Sequence, residues 1–362
     1  MKIVLPSHEH ISKKGLTPYE FVEKIGRLCY KSEDKITQDS STKFVRGLVK
    51  RGHTAMTEHF WVHITFHGNY VMLLDQLEDF VWNVLKDAGD TSTFFKYMQV
   101  TYLPDIVFIS CPIRALTVLA DWMTKMFSSK ELDWKVPPLI RELFYQVYCS
   151  YSEFFSEDVH LFNSDKVCTH QFSLWTEESF LDRMTEHDFC DNEDCRNVEI
   201  MKHVTHTVRF VCDRGVSHEL VRHRPCSFAQ ESTRYCNYSH SKFGEEITVI
   251  KPLFFEQWDK DLDNKCETMS YGLWARSCEQ SEKAYFNLLK EGATPQEARS
   301  VLPNSLKTEI IVTANETEWQ HIINLRYLGT TGAPHPQMKE VMSLVVGDLS
   351  VESEGRLKYE TN

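Results

Sequence analysis

Arginine, histidine, glutamate and short hydroxyl side chains crowd into one stretch, Arg222 to Arg234 (RHRPCSFAQESTR). It holds three arginines, one histidine and one glutamate, together with Ser227, Gln230, Ser232 and Thr233. Few aliphatic groups are there to bury. On a helix Arg222 and Arg224 point nearly opposite ways, because each residue turns about 100°. They cannot share one flat solvated face. The preceding segment, SHELVRHR, reads as a short helix capped by Ser217 and ended by Pro225, which leaves a loop anchored by arginines on two sides. Guanidinium groups are always charged and bind phosphate oxygens in pairs, which is what a nucleotide or flavin pyrophosphate needs. The hydroxyls and Gln230 suit ribose and base edges. A solvated charged turn is the plain alternative for one pair of arginines. It does not account for Arg-His-Arg at fixed spacing from Ser227, Ser232 and Arg234.

Elements able to hold such a loop flank it. Met1 to Leu5 reads as a strand, and Thr17-Pro18-Tyr19-Glu20 is a capping box that opens a helix carrying Phe21, Ile25, Leu28 and Cys29. A second helix carries Phe44, Val45, Leu48 and Val49 and stops at Gly52. Phe60 to Phe66 alternate as a strand does, with Trp61, His63 and Thr65 between the apolar positions. From about 70 to 200 the pattern is of amphipathic helices, built on Leu73 to Val84, on Leu116 to Phe127 and on Leu139 to Tyr148, then acidic, loop-like sequence. Val204, His206, Val208, Phe210 and Cys212 restore strand alternation. Tyr271 to Leu288 follow a long core-helix spacing, and Thr294-Pro295-Gln296-Glu297 is a second capping box. Ile310 to Val312 fit strand or helix, Trp319, Ile322 and Ile323 share a helical face, and Met338, Val341, Met342 and Val345 mark a last helix.

Bulk properties limit the partners. With 362 residues, 42% of them hydrophobic, the chain can bury a sizeable core. A net charge of -12 repels nucleic-acid phosphates, so a local arginine cluster points to a small anionic ligand and argues against an RNA-binding protein. The 11 cysteines show no disulfide-scaffold spacing and fit a reducing compartment. No apolar run approaches the roughly 18 residues of a membrane helix. The N-terminal apolar run is too short for a signal sequence. The expected location is cytoplasmic, or nuclear, which composition does not separate.

The pattern formed by Arg222, His223, Arg224, Ser227, Ser232 and Arg234 resembles the signature of the flavin-dependent thymidylate synthases. The lead-in CDRGVSHELVRHR and the exit Gln230 to Tyr235 are also similar to that family. Gly52-His53 followed by Glu58-His59 resembles its N-terminal segment, whose first histidine approaches the flavin. Arg299-Ser300-Val301-Leu302-Pro303 resembles its Arg-x-x-Leu-Pro turn, whose arginine contacts the nucleotide. Asn315, His321 and Arg326 fall where the family has two flavin contacts and a nucleotide-activating arginine. The likeness covers roughly residues 1–68 and 204–345.

The resemblance implies reductive methylation of dUMP to dTMP. Methylenetetrahydrofolate would be the carbon donor, reduced FAD the hydride source and NADPH the reductant. It implies dUMP contacts from Glu219, Arg222, Gln230, Glu231, Ser232, Thr233, Arg234, Arg299 and Arg326, with Arg326 catalytic beside the uracil. It implies FAD contacts from His53, Arg222, His223, Arg224, Gln230, Asn315 and His321, and no metal. Ser232 is expected to donate a hydrogen bond, not to act as a nucleophile, since no general base accompanies it in sequence. Three positions depart from the family pattern, Ala55, Ala229 and Thr317, and bear on individual flavin contacts.

The expected fold is α/β, the twisted sheet surrounded by helices of the flavin-dependent thymidylate synthases. The expected organisation is a single catalytic domain over 1–362 with a helical insertion at 70–200, assembled as a homotetramer with active sites between subunits. Two rival chemistries have weaker residue support. Pro225-Cys226 with Gln230 faintly resembles the cysteine nucleophile of the flavin-free thymidylate synthases, and Cys168, His170, His187, Cys190 and Cys195 offer zinc ligands without a tight CxxC pair.

Overall fold

The computed structural model describes residues 1–83, 97–126, 136–156, 171–187, 192–234, 236–240, 244–254 and 269–360. In chain order the first elements are β1 (Lys2–Val4), β2 (Ser7–His10), α1 (Pro18–Tyr30) and α2 (Ser40–Lys50). A 3-10 segment (Thr54–His59) leads into β3 (Trp61–His67) and α3 (Tyr70–Asn83). Then come β4 (Gln99–Tyr102), β5 (Ile106–Pro112), α4 (Ile113–Met126), α5 (Pro138–Tyr151) and β6 (Phe172–Trp175). Helices α6 (Glu177–Glu186) and α7 (Glu193–His203) precede β7 (Thr205–Asp213), α8 (Arg214–Leu220), β8 (Ser227–Gln230) and β9 (Thr248–Ile250). The last are α9 (Met269–Lys290), α10 (Pro295–Ala298), β10 (Lys307–Asn315), α11 (Glu316–Ile323), a π-helical turn (Asn324–Leu328) and α12 (Pro336–Glu352).

Both sequence capping boxes form. Thr17 accepts from the Glu20 amide at 3.3 Å while the Glu20 carboxylate accepts from the Thr17 amide at 2.8 Å. Thr294 and Glu297 repeat the exchange at 3.4 and 2.8 Å. Each satisfies two donors that a helix start leaves open, and a lost cap costs about 1 kcal/mol.

The described strands form three sheets. An antiparallel sheet in the order β2-β7-β10-β8 carries the arginine segment at its β8 edge. β7 and β10 lie at its centre and pair over nine residues, Thr205 to Asp213 against Asn315 to Lys307. Helix α12 buries Met338, Val341, Met342, Val345 and Leu349 among Val208, Phe210, Val312 and Trp319 of this core. Burying such side chains is worth about 1.5–3 kcal/mol each. A second antiparallel sheet has the order β4-β5-β3-β6, and a parallel pair joins β1 to β9.

The molecule is α/β as expected, but the 70–200 segment is not purely helical. It contributes β4, β5 and β6, which pair around β3. β5 escapes a periodicity reading because it is buried at every position, and β4 and β6 because they are only four residues long. A continuous apolar run has no period of two. β3 likewise buries His63 and Thr65 along with its apolar residues. The acidic stretch up to about Asn197 reads as loop in sequence, yet it holds α6 and the start of α7. Ile310 to Val312 are strand. The positions Val84, Phe127, Cys168, His170, Cys190 and Tyr235, singled out in sequence, lie outside the described residues.

Candidate active site

The arginine segment follows a helix that starts and ends earlier in the chain than its sequence suggests. Helix α8 begins at Arg214, capped by Asp213, whose carboxylate accepts from the Val216 amide at 2.7 Å. Burial raises the Asp213 pKa, against the amides that favour its charge. Ser217 is therefore not the cap. It is buried inside the helix, donates to the Arg214 carbonyl at 3.0 Å and accepts from Gln230 Nε2 at 2.9 Å. The helix ends at Leu220, five residues before Pro225, so Arg-His-Arg lies in the turn that follows. In that turn Arg222 and Arg224 are exposed and His223, between them, is buried. Arg224 donates to the Val221 and His223 carbonyls at 2.8 and 3.1 Å.

Arg326, 103 residues beyond His223, meets this turn. Its Nε donates to His223 Nε2 at 3.0 Å, and its terminal nitrogens donate to the Glu219 carboxylate at 2.9 Å and the Glu219 carbonyl at 3.5 Å. It projects from the π-helical turn, which ends at Gly329 in the left-handed region, φ 74°. A Cβ there would lie 2.9 Å from Pro334 and 3.0 Å from the Gly332 carbonyl, so the position requires glycine twice over. π-turns of this kind recur at functional sites because they redirect one side chain out of the helical pattern.

His223 is held neutral. Burial, then the adjacent Arg326 and His321, bring its pKa down to about 4. The exposed ring of His321 packs edge-on against it at 5.9 Å. Glu318, one turn earlier on α11, is buried, and burial pushes its carboxyl up to about 7. His223, Glu318 and His321 each bring a polar atom within 4.8 Å of the other two. That spacing would suit a metal ion, but a guanidinium 3.0 Å from the imidazole repels a cation.

A second group gathers around the end of β8. Gln230 reaches Ser217 and Thr308, at 2.9 and 3.2 Å. Glu231 is buried and pairs with Lys307 at 3.1 Å, in a cluster where Lys307, Lys31 and Arg209 also hold Glu309. Against its burial, Lys307 and Lys31 bring the Glu309 pKa down to about 2. Ser232 accepts from the Arg234 amide at 3.4 Å. Thr233 accepts from Arg299 at 3.4 Å, which brings the Arg-x-x-Leu-Pro turn to the motif. Arg234 and Arg299 are both exposed. These contacts join Arg326, His223 and Glu219 in one group and Arg299, Thr233 and their neighbours in a second, with the Gln230 bridge to α8 between them.

Other expected residues have work within the fold. Ser227 lies in β8, not in a loop, and donates to the Glu58 carbonyl at 3.0 Å. Asn315 caps α11: its oxygen accepts from the Glu318 amide at 2.9 Å and its nitrogen donates to the Lys202 carbonyl at 3.0 Å. His53 is exposed at the start of the 3-10 segment. His59 is fully buried against Thr313 at 2.7 Å, and burial lowers its pKa to about 3. Cys226 is buried, and burial pushes its thiol up, which disfavours a thiolate nucleophile. Of the zinc-type residues that are described, His187 packs edge-on against Phe108 and Cys195 is exposed on α7. Sequence reasoning missed Glu318. Its place three residues after Asn315 signals a helix start, but nothing local signals burial.

The chain matches the family model described as thymidylate synthase complementing protein over residues 148–346, more than half of its length. It is similar to the flavin-dependent thymidylate synthase of Pyrococcus abyssi, 30% identical over 128 residues, covering 35% of this chain and 48% of that protein. It is similar to the flavin-dependent thymidylate synthase of Pyrococcus furiosus, 29% identical over 157 residues, covering 42% and 59%. The chain spans about half the length of the curated relatives it matches. Among solved structures, a UMP/dUMP methylase, PolB, from Streptomyces cacaoi bound with 5-Br UMP aligns with a TM-score of 0.34 and 22% identity, over 42% of this chain and 76% of that one.

Proposed function

Because this chain belongs to the flavin-dependent thymidylate synthase family, we propose that it methylates dUMP to dTMP with Arg326 as the cation beside the uracil. The observation that carries this reading is the meeting of Arg326 with the Arg222–Arg224 turn, two segments a hundred residues apart. In the proposed reaction the methylene carbon of methylenetetrahydrofolate bonds to uracil C5 as its bonds to the folate nitrogens break, tetrahydrofolate and the C5 proton leave, and a hydride completes the methyl group. Reduced FAD, when bound, supplies that hydride, and NADPH restores it.

The donors present fit the anionic parts of both molecules. Arg222 and Arg224 are exposed on either side of His223 and suit the FAD pyrophosphate, with His321 beside them. Arg234, Arg299, Thr233 and Ser232 suit the dUMP phosphate. Glu219, Gln230 and Glu231 would reach the nucleotide by exchanging their present partners, and His53 would approach the flavin. Asn315 fits less well, since both ends of its amide are engaged.

Arg326 keeps one N–H on each terminal nitrogen beyond its bonds to Glu219 and His223. Those N–H groups are available to uracil oxygens. A fixed guanidinium stabilises the base as its N3 proton leaves, and being fixed beforehand it costs no reorganisation. Glu219 limits how strongly the unliganded guanidinium attracts water or stray anions.

The reading includes one catalytic domain over 1–362, the 70–200 segment as an insertion, and a homotetramer whose neighbouring subunits complete each site. The exposure of Arg222, Arg224, Arg234 and Arg299 leaves them open to such a neighbour. No described helix is long and apolar enough to cross a membrane. The test is release of tritium from C5-labelled dUMP by the purified protein supplied with FAD, NADPH and methylenetetrahydrofolate. Release that needs all three supports the reading, and none under any combination overturns it.

A further inference from the structure

Arg326 fixes the proton position on His223. A guanidinium donates only, so the nitrogen it touches, Nε2 at 3.0 Å, is an acceptor. His223 is neutral, so its proton sits on Nδ1. That nitrogen faces Glu318 Oε1 at 3.8 Å, which is buried and has no hydrogen-bond partner among the described residues. An unpaired buried carboxylate oxygen is costly, and the Nδ1 proton, on the nitrogen 3.8 Å away, is a donor that would relieve it.

We propose that Glu318 is a positioning residue: by drawing the His223 proton to Nδ1 it keeps Nε2 open for Arg326, and so aims the guanidinium. This rests on the reading of Arg326 as the group beside the base. The order Glu318, His223, Arg326, Glu219 alternates acceptor and donor at every contact. Other ionisable groups nearby are His321 on the same helix, Glu219 on α8, and Arg224 and Cys226 in the turn. Among them Arg326 and His321 oppose a second proton on His223. Acidification first neutralises Glu318, whose carboxyl then turns an O–H donor towards Nδ1 and competes with the proton there, so the hold on Arg326 weakens with it.

The experiment is 15N NMR of the full-length chain labelled at histidine, unliganded at pH 8, with the His223 signals identified by their loss in His223→Gln. The expected result is a proton on Nδ1 in the parent and in Glu318→Gln, whose amide oxygen still accepts, and a shift to Nε2 in Glu318→Leu. A proton on Nε2 in the parent, or one unmoved in Glu318→Leu, overturns the proposal. A pH profile of kcat/KM gives a second arm. The parent is expected to fall roughly tenfold per unit below about pH 7, while Glu318→Gln loses that limb. An unchanged limb in Glu318→Gln overturns the proposal while leaving the function intact. Absence of dUMP turnover in the parent strikes the function instead, and the NMR result stands apart from it.

Discussion

Two side chains with opposite fates carry the residue-scale argument. Arg326 is held by three contacts in a place where charge is useful. Its replacement by Ala is expected to lower kcat by about 10²–10³, the loss usual for a fixed electrostatic donor, with the chain still folded by circular dichroism. Cys226, by contrast, has a buried thiol with a raised pKa. Cys226→Ala is expected to keep tritium release within about threefold of the parent, because an inert buried thiol contributes packing only. Loss of all release with flavin still bound would restore the thiol mechanism. The arginines of the motif were legible because their type and spacing are chemical signals. Glu318 and Asn315 were not read in these roles, because burial and capping arise from where α11 meets the sheet. The resemblance implies a flavin contact for Asn315, whose amide in the fold serves the helix start and the Lys202 carbonyl.

At the scale of elements, the π-helical turn and its glycine aim the key arginine. Gly329→Ala adds a Cβ at positive φ against the Gly332 carbonyl and Pro334. It is expected to lower stability by more than about 1 kcal/mol and to cut turnover further than stability alone explains. Thermal melting and kcat measured together check this, and parent-like kcat in a folded variant would contradict it. The sequence made both capping boxes plain, since Thr-Pro-x-Glu acts locally. It misplaced the start of α8, where Asp213 caps from the last residue of β7 and Ser217 turns inward to Gln230. It also left β4, β5 and β6 unseen. β5, buried on both faces, looks like any apolar run, and β4 and β6 are four-residue strands too short to show a period; only their pairing around β3 and β5 distinguishes them.

Over the whole molecule, several histidines are buried neutral and couple the fold to pH. Burial lowers His59 and His203 to about 3 and His223 to about 4, from an ordinary 6.5. A group whose folded pKa is depressed binds fewer protons folded than unfolded. Stability is therefore full above pH 6.5 and falls as pH drops below it. Each fully buried histidine contributes up to about 1.4 kcal/mol per pH unit. Glu318 runs the other way, because its raised pKa favours the folded chain as pH falls from about 7 towards 4.5. The histidines outnumber it, so the unfolding midpoint in denaturant is expected to fall between pH 6.5 and 5, and less steeply in His203→Gln. A midpoint that rises over this range would contradict that balance. The central claim is that Arg326 and the Arg222–Arg224 turn form one flavin-dependent methylating site. Its most direct test is dTMP formation by the purified protein, compared with Arg326→Ala, with and without FAD. The account predicts dTMP only from the parent and only with the flavin. Flavin-independent dTMP, or equal yield from Arg326→Ala, would contradict it.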